Sequence, residues 1–129
     1  MTLVDTSVIV AWMDTKHEHH AECKAALVKA AAEDELAISA VTYAELSAGG
    51  RVKEAVDQEL EGMAVVPLDA QSAWRAGLAF RQYRPKDGEG KPVLPDFFIR
   101  AQALENQWRH LTNDRRRTKG WVGLDWVWA

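Results

Sequence analysis

The chain has one cysteine, Cys23, in 129 residues. It therefore has no internal disulfide to draw on, and its composition fits a reducing compartment. No apolar run approaches the roughly 18 residues that a bilayer crossing requires. The opening MTLVDTSVIV carries no basic stretch ahead of its apolar residues, so it reads as a strand and not as a secretion signal. These absences together point to a cytoplasmic protein without a membrane span. No glycine-rich phosphate loop occurs. Asp5 is followed two positions on by Ser7, where a phosphatase with an aspartyl nucleophile wants a second aspartate. Internal repeats, linkers and low-complexity stretches are missing as well, and the length is that of one domain, 1–129.

What is present is ordinary in bulk and uneven in distribution. Apolar residues make up 47% and charged residues 27%, the balance of a soluble globular protein. The net charge of −3 conceals a division: residues 1–74 hold 5 Lys and Arg against 13 Asp and Glu, and residues 75–119 hold 11 against 5. The basic side chains include Arg81, Arg84, Lys86, Arg100, Arg115, Arg116, Arg117 and Lys119. A basic surface beside an acidic pocket suits a polyanion whose phosphates approach a bound cation. Solvated helix faces account for the split equally well from charge alone.

Periodicity places the elements. Leu3 and Val4 form a first strand running into Asp5, and a short helix follows with Val8, Ile9, Ala11 and Trp12. A second helix spans about 17–31, a strand lies at 36–40, and a helix continues through Leu46 to the Gly49-Gly50 stop. Helical character resumes over 51–62, Met63 to Val66 make a third strand, and Asp69 caps a long helix with Trp74, Leu78 and Phe80. The segment 85–95, with three prolines and two glycines, is a loop. A helix over 96–107, a strand at 110–112 and a last strand at 124–128 complete the chain. Strands alternating with helices predict an α/β fold: a central, mostly parallel sheet of four or five strands with helices on both faces. Such sheets bind ligands at the carboxyl ends of their strands.

Four acids fall where strands end or helices begin: Asp5, Glu45, Asp96 and Asp114. Each has a structural role available to it. Asp5 can cap the first helix. Thr42-x-x-Glu45 matches a capping box. Asp96, after Pro95, gains from the helix dipole. Asp114 suits a polar turn. None of these roles explains why the acids gather at the edge where α/β sheets place their sites. Crowded carboxylates repel, and a divalent metal is the usual reason to crowd them. Acids without histidine or thiol partners suit Mg²⁺ or Mn²⁺. Thr112, and Thr6 beside Asp5, are placed to hydrogen-bond a carboxylate or a metal-bound water. Arg100 and the arginine run Arg115, Arg116 and Arg117 are candidates for phosphate contacts.

The order and contexts of the four acids, in LVDTSVIV, VTYAEL, PDFFIRA and LTND, resemble those of the PIN-domain nucleases, in particular the VapC-type toxins of toxin–antitoxin pairs. The resemblance covers essentially the whole chain. It implies a single PIN-like three-layer domain and a Mg²⁺-dependent endoribonuclease acting on single-stranded or looped RNA. Asp5, Glu45, Asp96 and Asp114 would be metal ligands, with Thr112 in the catalytic set and Thr6 near the substrate. The partners it implies are a cognate antitoxin and a second copy of the chain in a homodimer. One departure stands out. Arg115, Arg116 and Arg117 follow Asp114 where some relatives carry a further acid. The alternatives are a PIN-fold module that docks an antitoxin or RNA with little hydrolysis, and an RNA-processing nuclease without an antitoxin.

Two other constellations compete. His17, His19, His20 and Cys23 lie close in sequence, but a zinc site needs four ligands in a closed geometry. Histidines can also cleave RNA without metal by acid–base catalysis, and only His110 lies near a strand end. Of the six tryptophans, Trp126 and Trp128 alternate with Leu124 on one face of the last strand. They read as core or as the cap of a sheet edge, at the end of the molecule away from the acids.

Overall fold

Short apolar runs bounded by polar stops become five strands in the computed structural model, which describes residues 1–85, 88 and 90–129. Lys86, and with it part of the 85–95 segment, lies outside the described residues. The strands are β1 (Thr2–Val4), β2 (Leu36–Ser39), β3 (Ala64–Val66), β4 (Arg109–Thr112) and β5 (Asp125–Trp128). The helices between them are α1 (Thr6–Met13), α2 (His20–Glu33), α3 (Ala40–Ala48), α4 (Lys53–Glu59), α5 (Ala70–Gln82) and α6 (Leu94–Glu105). The expected elements are all there, with ends displaced by a few residues. The largest shifts are at the start of α2, which begins at His20, and at the end of α4, which stops at Glu59; α6 begins at Leu94 and so holds Pro95 and Asp96 in its first turn.

All strand pairs are parallel, in the order β3-β2-β1-β4-β5. Parallel sheets are covered on both faces, which is why β1 and β2 are buried at every position. The two-residue period of the strands divides the core. Val4, Leu36, Ile38 and Leu111 face Val8, Ile9, Leu27, Val56 and Leu60 from α1, α2, α4 and the turn after it. Leu3 and Ala37 face Ala76 of α5 and Phe97, Ala101 and Ala103 of α6 on the other side. Phe97 is the hub of that second layer, 1% exposed, with ring centroids of Phe80, Tyr83 and Trp121 at 5.3, 5.7 and 5.6 Å. The result is three layers, helices on both faces of a five-stranded parallel sheet.

Asp69 is the cap that the sequence predicts. Its carboxylate accepts from Ser72 N at 3.0 Å and Ser72 Oγ at 2.7 Å, and those bonds hold its carboxyl below the ordinary range. Asp69→Ala is expected to lower the urea midpoint by the equivalent of about 1 kcal/mol. An unchanged midpoint would show that the cap contributes nothing.

The last strand is where placement differs from expectation. β5 pairs with β4, setting Trp126 beside His110 and Trp128 beside Thr112. Ala129 N donates to Thr112 O at 2.9 Å. The tryptophan end therefore borders the residues around Asp114 and does not lie away from them. Local pattern identifies a strand but does not say which edge it joins.

Candidate active site

Sheet order sets the location. β1 is central, β2 and β3 extend from one side of it and β4 and β5 from the other, so connectivity reverses between β1 and β4. A crevice opens at the carboxyl end of such a switch point. Asp5 directly follows β1, and its N–H still donates to Leu111 O of β4 at 2.8 Å. Asp114 lies two residues beyond β4, and α3 leaves the end of β2 carrying Glu45. Asp96 enters from the first turn of α6.

Asp5 sits at the N-cap of α1 by backbone alone, since its side chain makes no capping bond. Its Oδ2 instead accepts from Ser7 Oγ at 2.6 Å and Thr112 Oγ1 at 2.9 Å, and the residue is 9% exposed. Glu45 is not a cap either. Ser39 caps α3, accepting from Val41 N at 3.1 Å, so the capping-box reading of Thr42 and Glu45 is corrected. The helix starts three residues earlier than that reading requires. Thr42 then falls inside it, and its hydroxyl shares a 2.9 Å hydrogen bond with Thr6. Thr6 Oγ1 also donates to Glu45 Oε1 at 2.8 Å.

The acids lie in one another's fields. Burial pushes the Glu45 carboxyl up, and Asp96 and Asp5 push it further against the Thr6 hydrogen bond. Burial also raises Asp96, with Asp5 adding to it and Arg100 and Arg117 opposing. Burial acts in the same sense on Asp114, but hydrogen bonds and charge from Arg116, with Arg100 behind, hold it below the usual carboxylate range.

The arginines take three distinct positions. Arg116 is exposed and clasps Asp114 Oδ1 at 2.9 Å. Arg115 lies over the Trp128 ring, 4.5 Å from its centroid. Arg117 is buried, 3.2 Å from Asp96 and 3.8 Å from Asp114. Arg100 is not placed for the phosphate contact expected of it. At 3% exposure, it donates to Arg117 O at 2.6 Å, Arg116 O at 3.0 Å and Asp114 O at 3.5 Å, and stacks on Trp126 at 5.1 Å. It holds the loop after β4 in shape. Arg100→Met should leave those carbonyls without charged donors and cost about 2 kcal/mol, read as a lowered denaturation midpoint. A midpoint within error of wild type would refute that role.

Among the described residues, no group of three or more His, Cys, Asp and Glu side chains already stands as a ligand set. For the acids the reason is visible: Arg116 and Arg117 hold Asp114 and Asp96, while hydroxyls hold Asp5 and Glu45. The donor chemistry nevertheless fits a hard divalent cation, since the donors are carboxylate and hydroxyl oxygens and Glu45, raised by burial and by Asp96 and Asp5, has only a neutral hydroxyl for a side-chain partner. The competing constellations fare differently. Cys23 is buried in the core, His20 bonds Ala11 O at 3.0 Å and His19 pairs with Glu22 at 3.2 Å. His110 is fully buried in the sheet, out of reach of a substrate. Beside the acids, a hollow of about 590 Å³ is lined by Thr6, Ser7, Asp114 and Arg116.

Ser7 belongs to this site although sequence reasoning gave it no role there, and Arg117, expected from the sequence as a phosphate contact, turns inward onto Asp96 instead. One signal was available: Arg100 follows Asp96 by one helical turn, so both face inward together.

The family model described as PIN domain matches residues 2–119. No curated protein matches the chain. Among solved structures, a toxin–antitoxin complex from Klebsiella pneumoniae contains a chain 21% identical, aligned over 96% of this chain and 95% of the other with a TM-score of 0.74. DNA-bound VapBC from Salmonella typhimurium gives 21% identity, coverage of 98% and 96%, and a TM-score of 0.69. VapC20 from Mycobacterium tuberculosis, described as a sarcin–ricin loop cleaving toxin, gives 14%, 97% and 99%, and 0.66. At these identities the likeness is one of fold.

Proposed function

The chain belongs to the PIN-domain family, and from that premise we propose that it is a divalent-metal-dependent endoribonuclease, the toxin of a toxin–antitoxin pair acting in the cytoplasm. The observation that supports the reading is the position of the four acids at the carboxyl end of the switch point: Thr112 accepts from Asp114 N and donates to Asp5, Thr6 beside Asp5 bonds Glu45, and Arg117 reaches both Asp96 and Asp114. Mg²⁺, or Mn²⁺ in its place, would be held by these carboxylates. Bound there, it would lower the pKa of a water and neutralise charge growing on the scissile phosphate.

The remaining work falls to the chain's own side chains. Thr112 and Ser7 fix the rotamer of Asp5, and Thr6 fixes that of Glu45, so the ligand oxygens are aimed before substrate arrives. Arg115 and Arg116, both exposed, meet the RNA backbone, while Arg100 shapes the loop that presents them. A second hollow, of about 490 Å³, has Arg75, Arg84 and Lys119 around Phe97 and Trp121, a basic and aromatic lining that suits an RNA strand. RNA is the substrate, an antitoxin the partner. The exposed Trp74 and Leu78, one turn apart on α5, are an apolar face suited to a homodimer. Among the described residues no helix is long and apolar enough to cross a membrane.

Labelled RNA incubated with the protein and Mg²⁺ tests the proposal. Cleavage that stops with EDTA supports it. Cleavage that persists in EDTA refutes metal dependence. RNA binding without cleavage favours a docking module, a reading to which the arginine pairing of Asp96 and Asp114 lends weight. An antitoxin gene immediately upstream separates a toxin from an RNA-processing nuclease.

A further inference from the structure

The run of three arginines after Asp114 is not one feature. Two of its members face solvent, and Arg117 turns inward until its side chain is 3% exposed. The turn is built from the backbone up. Arg117 has φ +55°, in the left-handed region that L side chains rarely adopt. Its carbonyl is held by Arg100 Nη1 at 2.6 Å and the preceding carbonyl by Arg100 Nη2 at 3.0 Å. From that fixed position Arg117 Nη2 reaches Asp96 Oδ2 at 3.2 Å and Asp114 Oδ2 at 3.8 Å.

This divides the four acids by the charge of their partners. Asp96 and Asp114 are met by guanidinium groups. The side-chain hydrogen bonds to Asp5 and Glu45 come from the neutral hydroxyls of Ser7, Thr112 and Thr6. Arg117 is the buried one of those guanidinium groups, within reach of both Asp96 and Asp114. Moving it out would strand a buried charge.

We propose that Arg117 is a built-in counter-cation of the acid site: it holds the charge position that a second divalent ion would need between Asp96 and Asp114, and limits the site to one metal ion per chain. The inference rests on the reading of these acids as metal ligands. Arg117 is here a positioning residue, acting on the acids and not on substrate. It also offsets the mutual repulsion of the carboxylates in the metal-free chain.

The test is the Mn²⁺ stoichiometry of the full chain, measured by calorimetric titration and checked by equilibrium dialysis, for wild type, Arg117→Met and Arg117→Lys. Wild type is expected to saturate at one ion and Arg117→Lys, which retains the charge, at one. Arg117→Met is expected to take two, to melt lower than wild type without metal, and to recover more on adding Mn²⁺. A purely structural arginine would change the melting point and leave the ion count alone. Two ions in wild type, or one in Arg117→Met with unchanged affinity, overturn the inference while leaving the metal site standing. Should Arg117→Met not fold, the wild-type count still decides. Absence of Mn²⁺ binding by wild type at millimolar concentration would sink the metal-site reading itself, and this inference with it.

Discussion

Asp96→Asn is expected to give a folded protein whose RNA cleavage is slower by about 10²-fold or more, the scale of a lost electrostatic contact at a reacting phosphate. The amide keeps the size of the side chain and an acceptor for Arg117, so the fork at 3.2 Å retains an oxygen to meet. Arg117 also keeps Asp114 at 3.8 Å, which spares the fold from a stranded cation. What disappears is the negative charge, the property a metal ligand needs. Asp5→Asn is expected to behave alike, because its amide oxygen still accepts from Ser7 and Thr112 while the charge is gone. The measurement is the cleavage rate of labelled RNA under saturating Mg²⁺, with circular dichroism to confirm the fold. Either variant cleaving at more than half the wild-type rate would overturn the assignment of that acid.

Two of the acids are legible in the sequence alone, and the reason is local. Asp5 and Asp114 sit at the ends of short buried strands, and the strand signal of Leu3-Val4 or His110-Leu111-Thr112 comes from neighbours in sequence. Asp69 could be read as a cap for the same reason, since its partner Ser72 is three residues away. Glu45 was ambiguous because two hydroxyl residues three apart, Ser39 and Thr42, both qualify as the start of α3. The choice between them is made by where β2 ends, which depends on its pairing with β1 and β3. Thr42 is then free to pair with Thr6 across 36 residues of sequence, a contact no local rule contains.

The basic run shows a different limit. Composition marks Arg100 and Arg115 to Arg117 as cations suited to phosphate. It cannot tell an exposed cation from one that is 3% exposed, because that depends on which loop an arginine closes. Arg100 faces inward on the same side of α6 as Asp96, and the loop after β4 folds back over it. Trp126 and Trp128 were misplaced on similar grounds. Their strand is recognisable by alternation, but its position next to β4, and so next to the acids, follows from sheet order. Tertiary pairing, not local propensity, carried that information.

His110 shows how the sheet that builds the site also exposes it to acid. It occupies the middle of the second layer, between Leu3 of β1 and Trp126 of β5 in register, with its ring 5.6 Å from that of Trp126. Burial pushes its imidazole down to about 4; Asp5 works against that shift and Arg100 with it. In the unfolded chain the same group titrates near 6.5. Between those two values the unfolded state binds more protons than the folded one, so stability rises with pH across the window. The contribution is present in full above about pH 6.5 and lost as pH falls towards 4, a total of roughly 3 kcal/mol at about 1.4 kcal/mol per unit. Glu45 and Asp96, whose carboxyls are raised, gain protons on folding at the lower end of the window and oppose the loss. Comparison with His110→Leu isolates the histidine, because the acids remain in both proteins. The substitution is close in volume and is expected to change stability at pH 7.5 by less than about 1.5 kcal/mol. At pH 5 wild type should have lost a large share of its urea midpoint relative to pH 7.5, and His110→Leu much less. Midpoints that fall in parallel would show that the acid sensitivity arises elsewhere. A proton on His110 would also place a second cation beside Arg100, under the loop that carries Asp114. Acid is therefore expected to loosen the active site before it unfolds the chain, seen as RNA cleavage failing at a higher pH in wild type than in His110→Leu.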